Sequence, residues 1–348
     1  MPRDFFLGLA ANRHRCIVGT DLVLHGEADP EGVRRDAAAL GQVVAKSAAR
    51  WKSPLAIPLM DLRLEKADLL AAYGMGEEAA DRFHFEGLPQ EEHYPAGEFP
   101  ERQRAQIGAI RWVAENTDLF PAGMVIGPFS LTTKLLADPI TPIALALSGV
   151  SAEDDAGVAA VERCRRVAQA AVERSVRAQI AAGAKAILVC EPAANIVYLS
   201  PRQLKSNPWA FEEYVLAPNL KIKGLMDEAG VDLIFHDCGE LNDGMVEAFG
   251  RVLHPSMLSL GASRVLWEDA RLIPRDVTLF GNMPTKMFYS DSVMPADEVR
   301  ERTKTLAGRM AECGHPHVLG SECDVLYVEG SAETILEKVG ILLNEGAA

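Results

Sequence analysis

No stretch of this 348-residue sequence reaches the roughly 18 consecutive apolar residues that a bilayer-crossing helix needs. Its start, MPRDFFLGLAANRHRC, lacks the apolar core and small-residue cleavage site of a secretory leader, so the cytoplasm is the expected compartment. Basic residues are scarce: 35 against 49 acidic ones leave a net charge of −14, which argues against a nucleic-acid or membrane-surface partner. The six cysteines include no close C-x-x-C pair and do not read as a disulfide framework; reducing conditions would keep them as thiols. Fixed-period repeats and low-complexity tracts are missing, and neither Gly127-Pro128-Phe129-Ser130 nor Gly281-Asn282-Met283 has phosphate-loop or dinucleotide-fingerprint spacing.

What is present is a rhythm of short apolar runs, each ending on a polar or metal-competent residue. They read LAIPLMD to Asp61, GMVIGPF to Phe129, AKAILVCE to Glu191, VDLIFHDC to His236 and Cys238, VTLFGN to Asn282 and PHVLGSEC to Cys323. Runs of this length are buried strands, and helical patterns follow most of them, clearest over residues 153–182, 203–230 (with an irregular start at Asn207–Pro208), 243–253 and 295–313. A further run, SMLSLGA, brings the strand count to that of an eight-stranded barrel. The expected fold is therefore α/β, a single (β/α)8 barrel over residues 1–348, with residues 1–50 as an N-terminal extension. The Pro-, Gly- and charge-rich segment 81–104 reads as a long excursion, a lid or an oligomer contact such as a homodimer would use. In parallel α/β folds the strands' carboxyl ends share one face, where active sites are built.

His236 and Cys238 stand two apart on a strand, so their side chains face the same way and can converge on one ion with Cys323. A pair with a distant third ligand suits a catalytic zinc, which keeps an exchangeable position, better than a finger. The competing reading is a buried histidine beside inert core thiols; placement after two apolar runs, beside Gly239 and Gly320, favours zinc. Asp237 points the opposite way and would support the ligands at most. Glu191, stopped by Pro192, and Asp61 end their strands as rim carboxylates: catalytic proton acceptors, substrate contacts, a fourth zinc ligand, or partners of arginines. Gly127-Pro128-Phe129-Ser130 and Gly281-Asn282-Met283 read as loops that line a pocket or as plain strand-to-helix turns, with Phe129, Asn282 and Met283 as substrate-binding candidates. Cys16, Cys164, Cys190 and Cys313 read as structural, His315 and His317 as solvated residues of a turn, and Tyr198, Trp209 and Phe211 as packing near the mouth.

With GPFSLTTKLL, EPAANIVYLSPRQL, FEEYVLAPNLKIK, IFHDCGE, LFGNMP and LGSECDV in view, the sequence resembles the uroporphyrinogen decarboxylase superfamily. Within it, the likeness is to the cobalamin-linked, zinc-dependent methyltransferases, and it spans about residues 54–337. In those enzymes a His-x-Cys and a later Cys hold zinc, which matches His236, Cys238 and Cys323. The decarboxylases carry a histidine in a Gly-His-Gly turn near the last strand and an arginine-rich opening motif; this sequence has Ser321-Glu322-Cys323 there and lacks the motif. Asp61 falls where the decarboxylases keep an aspartate that binds pyrrole nitrogens. VGTDLVLHGEADPEG and IPLMDLRLEKADLL further resemble the substrate-specific methyltransferases of O-demethylase systems, which pass a methyl group from aryl methyl ethers to a corrinoid protein.

The resemblance implies a zinc enzyme that moves methyl from a small O-methylated substrate to cobalamin held by a partner corrinoid protein. A Lewis-acid metal would ease departure of the phenolate, with Glu191 or Asp61 orienting substrate or managing a proton. Three alternatives stand beside it: a methylcobalamin:thiol methyltransferase of the coenzyme M type, a uroporphyrinogen decarboxylase, and a non-catalytic metabolite-binding barrel with structural zinc.

Overall fold

The structure, a computed structural model, describes residues 2–90 and 97–345. Eight parallel strands form a nearly closed barrel: β1 (Arg15–Val18), β2 (Leu55–Ala56), β3 (Phe120–Ile126), β4 (Ala186–Cys190), β5 (Asp232–Asp237), β6 (Met257–Leu260), β7 (Thr278–Phe280) and β8 (His317–Asp324). They are ordered β1-β8-β7-β6-β5-β4-β3-β2. At the seam between β1 and β2 the Thr20 hydroxyl donates to the Ile57 carbonyl at 2.7 Å, and the Ser53 hydroxyl lies 3.5 Å from the Cys16 sulfur.

The runs are apolar throughout because both faces of each strand are covered. Alternate residues serve two separate cores. On β4, Ala186, Leu188 and Cys190 fill the lumen with Met124, Ile234, Met257 and Phe280. Ile187 and Val189 face the helical shell instead. The lumen is floored at the strands' amino ends by α1 (Pro2–Ala11). Phe5 stacks on Phe120 with ring centroids 3.9 Å apart, and Arg3 donates to the carbonyls of Asp276 and His254 at 2.9 and 3.1 Å. With the floor sealed, the carboxyl end is the open one.

Residues 1–50 are not an appendage to the barrel, as expected, but its opening. β1 is only four residues long, so it has little periodicity to read, yet it pairs with β8 through a bulge between Cys16 and Val18. The Ser321 hydroxyl accepts the Val18 N–H at 3.1 Å within that bulge. Of the 81–104 excursion, Phe85 bridges to Leu136, while residues 91–96 lie outside the described residues. The expected 203–230 helix is instead Pro201–Ser206, Trp209–Phe211, a π-turn at Glu212–Leu216, and Ala217–Glu228. Pro218 has no N–H to offer the preceding turn, and the Asn219 amide donates to the Val215 carbonyl at 2.9 Å. Among the described residues no helix is long and apolar enough to cross a membrane.

Candidate metal centre

The alternation that sends Ile234 into the lumen also sends His236 there, while Phe235 and Asp237 face the shell. Cys238 follows directly after β5. Cys323 comes from β8 across the mouth, and together with His236 it lines the top of the lumen beside Met60, Val18 and Phe280. The histidine nitrogen and the two sulfurs all lie within 4.8 Å of one another. The Cys323 sulfur also lies 4.0 Å from the Met60 thioether.

The imidazole is held for ligation. Its Nδ1 is 2.9 Å from the Ser259 hydroxyl, which β6 places opposite it in the ladder. Its Nε2 is buried and has no hydrogen-bond partner. An Nδ1–H donated to Ser259 leaves Nε2 as a bare lone pair, the form a metal requires. A buried, unsatisfied acceptor is costly in a finished protein, and two facing thiols supply the soft donors zinc accepts. The cluster fits a zinc ion bound by three protein ligands.

The pair of thiols is electrostatically unequal. Cys238 is held below the usual thiol range, chiefly by its hydrogen bond with the Cys323 thiol, with His236 and Lys286 adding to the effect. The same pairing pushes Cys323 up. Lys286, on the short turn Thr285–Met287, is the cation of the site. Partial burial opposes its charge, but the Cys323 and Cys238 sulfurs and the Glu322 carboxylate outweigh that and raise its pKa.

Backbone packing fixes the walls. A Cβ on Gly261 would sit 2.9 Å from the Cys238 carbonyl oxygen, so only glycine lets the β6 loop close against the ligand strand. That loop is fastened by Asn282, whose amide donates to the carbonyls of Gly261 and Arg264 at 2.8 and 2.9 Å, and by Glu322, which accepts the Ala262 N–H at 3.0 Å.

Other expected site residues are placed differently. Glu191 is fully buried rather than at a rim. Its carboxylate accepts the N–H groups of Phe129 and Ser130 at 3.0 and 2.8 Å and the Asn219 amide at 3.0 Å. It thus closes the amino end of the helix Pro128–Leu135, whose first N–H groups have no partner within the helix. Burial raises its pKa and these donors pull it back only in part. A Cβ on Gly127 would fall 2.0 Å from the Glu191 carboxyl carbon, so the carboxylate and the glycine are one fitted unit. Asp61 forms a two-pronged ion pair with Arg63 at 2.7 and 2.8 Å, the arginine-paired alternative for that position. Burial alone would raise its pKa, but the Arg63 bonds hold it below the usual range.

Phe129 is buried against Tyr198, edge to face at 6.2 Å, in the shell core. Met283 is locked through its backbone between Gly320 and Glu322, with its sulfur 3.9 Å from the Thr303 hydroxyl, so it packs on the helix Ala296–Cys313 rather than lining a pocket. His315 and His317 are not solvated: each ring faces a backbone carbonyl, of Val277 at 2.9 Å and Gly281 at 2.6 Å. Burial lowers His317 to about 4. Sequence reasoning missed Ser259, although SMLSLGA places it in the strand register that His236 needs. It also missed Lys286, whose turn carries no ligand-like spacing.

The family model for uroporphyrinogen decarboxylase (URO-D) matches residues 91–340. No curated protein matches the sequence in a direct search. Among solved structures the chain is similar to a methyltransferase from Methanosarcina mazei, with a TM-score of 0.68 and 16% identity over 98% of this chain and 97% of that one. It is also similar to a candidate vitamin-B12 independent methionine synthase from Listeria monocytogenes, with a TM-score of 0.43 and 12% identity over 80% and 86%. The first of these likenesses is one of fold. The matched span holds six of the eight strands, β3 to β8, and all three cluster residues, and the chain belongs to the uroporphyrinogen decarboxylase family.

Proposed function

We infer that this protein is a zinc-dependent methyltransferase that moves a methyl group from an aryl methyl ether to the cobalt of a corrinoid carried by a separate protein. The observation that carries this reading is the buried, unpartnered Nε2 of His236 facing two thiols at the open end of the barrel. Zinc, when bound, supplies a Lewis acid for the oxygen of the bond that breaks. Ser259 keeps His236 in the ligating tautomer, and Gly261, Asn282 and Glu322 hold the wall behind Cys238. Three protein ligands leave room for an exchangeable one, which distinguishes this site from a closed structural zinc. The structural neighbour that bears the name methyltransferase is in keeping with this reading.

A large cofactor must reach the site from outside, and the rim suits a protein carrying it. Loops after β4, β6, β7 and β8 expose Val197, Val265, Met287, Leu326 and Val328 around the mouth. Several apolar side chains grouped on one face mark a protein contact better than scattered ones do. Decarboxylation of a porphyrinogen finds no support in the thiol pair. Mixing the zinc-loaded protein with Co(I) corrinoid protein and a panel of methoxyarenes should yield methyl-Co(III), read by absorbance, and the matching phenol. No reaction on any methoxyarene, with methylation of a thiol such as coenzyme M from methylcobalamin, would reverse the direction.

A further inference from the structure

We propose that the Met60 thioether is the fourth, exchangeable ligand of the zinc, seated on it while the site is free of substrate. The role depends on the reading above for the ion, though coordination can be measured without turnover. The Met60 sulfur lies 4.0 Å from the Cys323 sulfur, and Met60, Cys323 and His236 line one void at the top of the lumen. Two sulfurs held by one tetrahedral zinc, each about 2.3 Å from it, stand roughly 3.8 Å apart. The pair is therefore already spaced as two ligands of one ion. The void measures about 10 Å³, enough for a single water and too little for a substrate, so substrate can meet the cluster only from the mouth.

The chain turns Met60 to this place by breaking its own alternation. Leu55 and Ile57 face the lumen and Leu59 the shell, so the pattern slips by one residue around Pro58. The slip packs Met60 against the lumen core and leaves the next residue, Asp61, to Arg63. Thr20 pins the segment through the Ile57 carbonyl.

No carboxylate competes for the position. Among the described residues no Asp or Glu oxygen joins His236, Cys238 and Cys323 in one group. Glu191, Asp61 and Glu322 are each engaged elsewhere, by three donors, by Arg63 and by the Ala262 N–H. A thioether also suits the chemistry. Two thiolates and a divalent ion cancel, and a neutral sulfur keeps them so, where a carboxylate would add a charge. An ether oxygen is neutral as well, so exchanging one for the other moves no charge into or out of a half-buried site. Zinc accepts the soft sulfur, and the unbranched side chain has three rotatable bonds by which to swing aside.

The test uses the full chain loaded with zinc and free of substrate. X-ray absorption at the zinc edge should count three sulfurs and one nitrogen in wild type. Met60→Leu, a swap that conserves volume, should show two sulfurs, and Met226→Leu, in the shell core, should keep three. Zinc should be retained in both variants. In the cobalt-substituted protein, imidazole should bind Met60→Leu about tenfold more tightly than wild type, read by visible absorbance. A position left open about one-tenth of the time binds about tenfold more weakly. A methionine that only packs would give two sulfurs in wild type and equal imidazole affinities. Either result, or loss of zinc from Met60→Leu, would overturn the assignment. If wild type shows three sulfurs but demethylates no methoxyarene, the reaction reading fails and the Met60 ligand stands.

Discussion

The ends of β4 and β5 are neighbours, joined where the Glu191 N–H donates to the His236 carbonyl at 2.8 Å, yet they are opposites in character. At the end of β4 a buried carboxylate is met by three donors from the protein itself, and a glycine is shaped to receive it. At the end of β5 a buried nitrogen and two sulfurs converge, and the nitrogen has no partner. Both ends show the same sequence sign, a chemical residue closing an apolar run. What separates structure from function is whether the lone pairs are already taken.

Substitutions should break the two ends in different ways. Cys238→Ser or Cys323→Ser should cut zinc from about one ion per chain to little or none, measured by elemental analysis, while the fold survives on its two apolar cores. Cys164→Ser, on the buried face of the helix Ala156–Ala181, should leave the metal in place.

A carboxyl buried in the helical shell should answer to pH instead. Glu65 lies behind β3, where it accepts the Ser175 hydroxyl at 2.8 Å, and burial raises it to about 7 despite that bond. A carboxyl raised in the fold gives its full stability below its unfolded value and loses it as pH rises through the folded one. Stability should therefore fall between about pH 4.5 and 7 by on the order of 3 kcal/mol. Glu65→Gln should flatten that slope in urea titrations.

Glu191→Gln turns an amide N–H₂ toward backbone N–H groups and should cost about 2 kcal/mol of stability with zinc retained. Loss of the metal in that variant would place Glu191 with the open site after all. The smallest effect expected is for Ser259→Ala, which frees the imidazole to rotate or change tautomer. Zinc affinity should drop about tenfold in competition with a chromophoric chelator, with little change in stability.

The strands were legible because a barrel buries both strand faces, and doubly buried strands read as unbroken apolar runs. β1 was not, since RCIV is too short to show a period and its partner lies some 300 residues away (Cys16 pairs with Gly320). The cluster was legible because i and i+2 on a strand share a face, which needs no knowledge of the rest of the fold. Glu191 misled because its partners are mostly backbone N–H groups of another segment, and backbone donors leave no trace in residue type. Phe129 and Met283 misled for a related reason: residues at a mouth can turn outward into the shell, and the sequence does not say which way a loop rolls.

The seam has a consequence for synthesis. β1 emerges from the ribosome early but makes its ladder with β8, not with β2, so it must wait for nearly the whole chain. Until residue 324 is available, the nascent barrel is an open sheet with an exposed edge, and the Cys323 half of the cluster does not yet exist. Arg15 then reaches further still, donating to the carbonyls of Leu342 and Glu345 at 2.7 and 2.6 Å. A chain cut short before residue 324 has no closed lumen and no complete cluster, so an ion that needs all three ligands can be held only after the last strand is made.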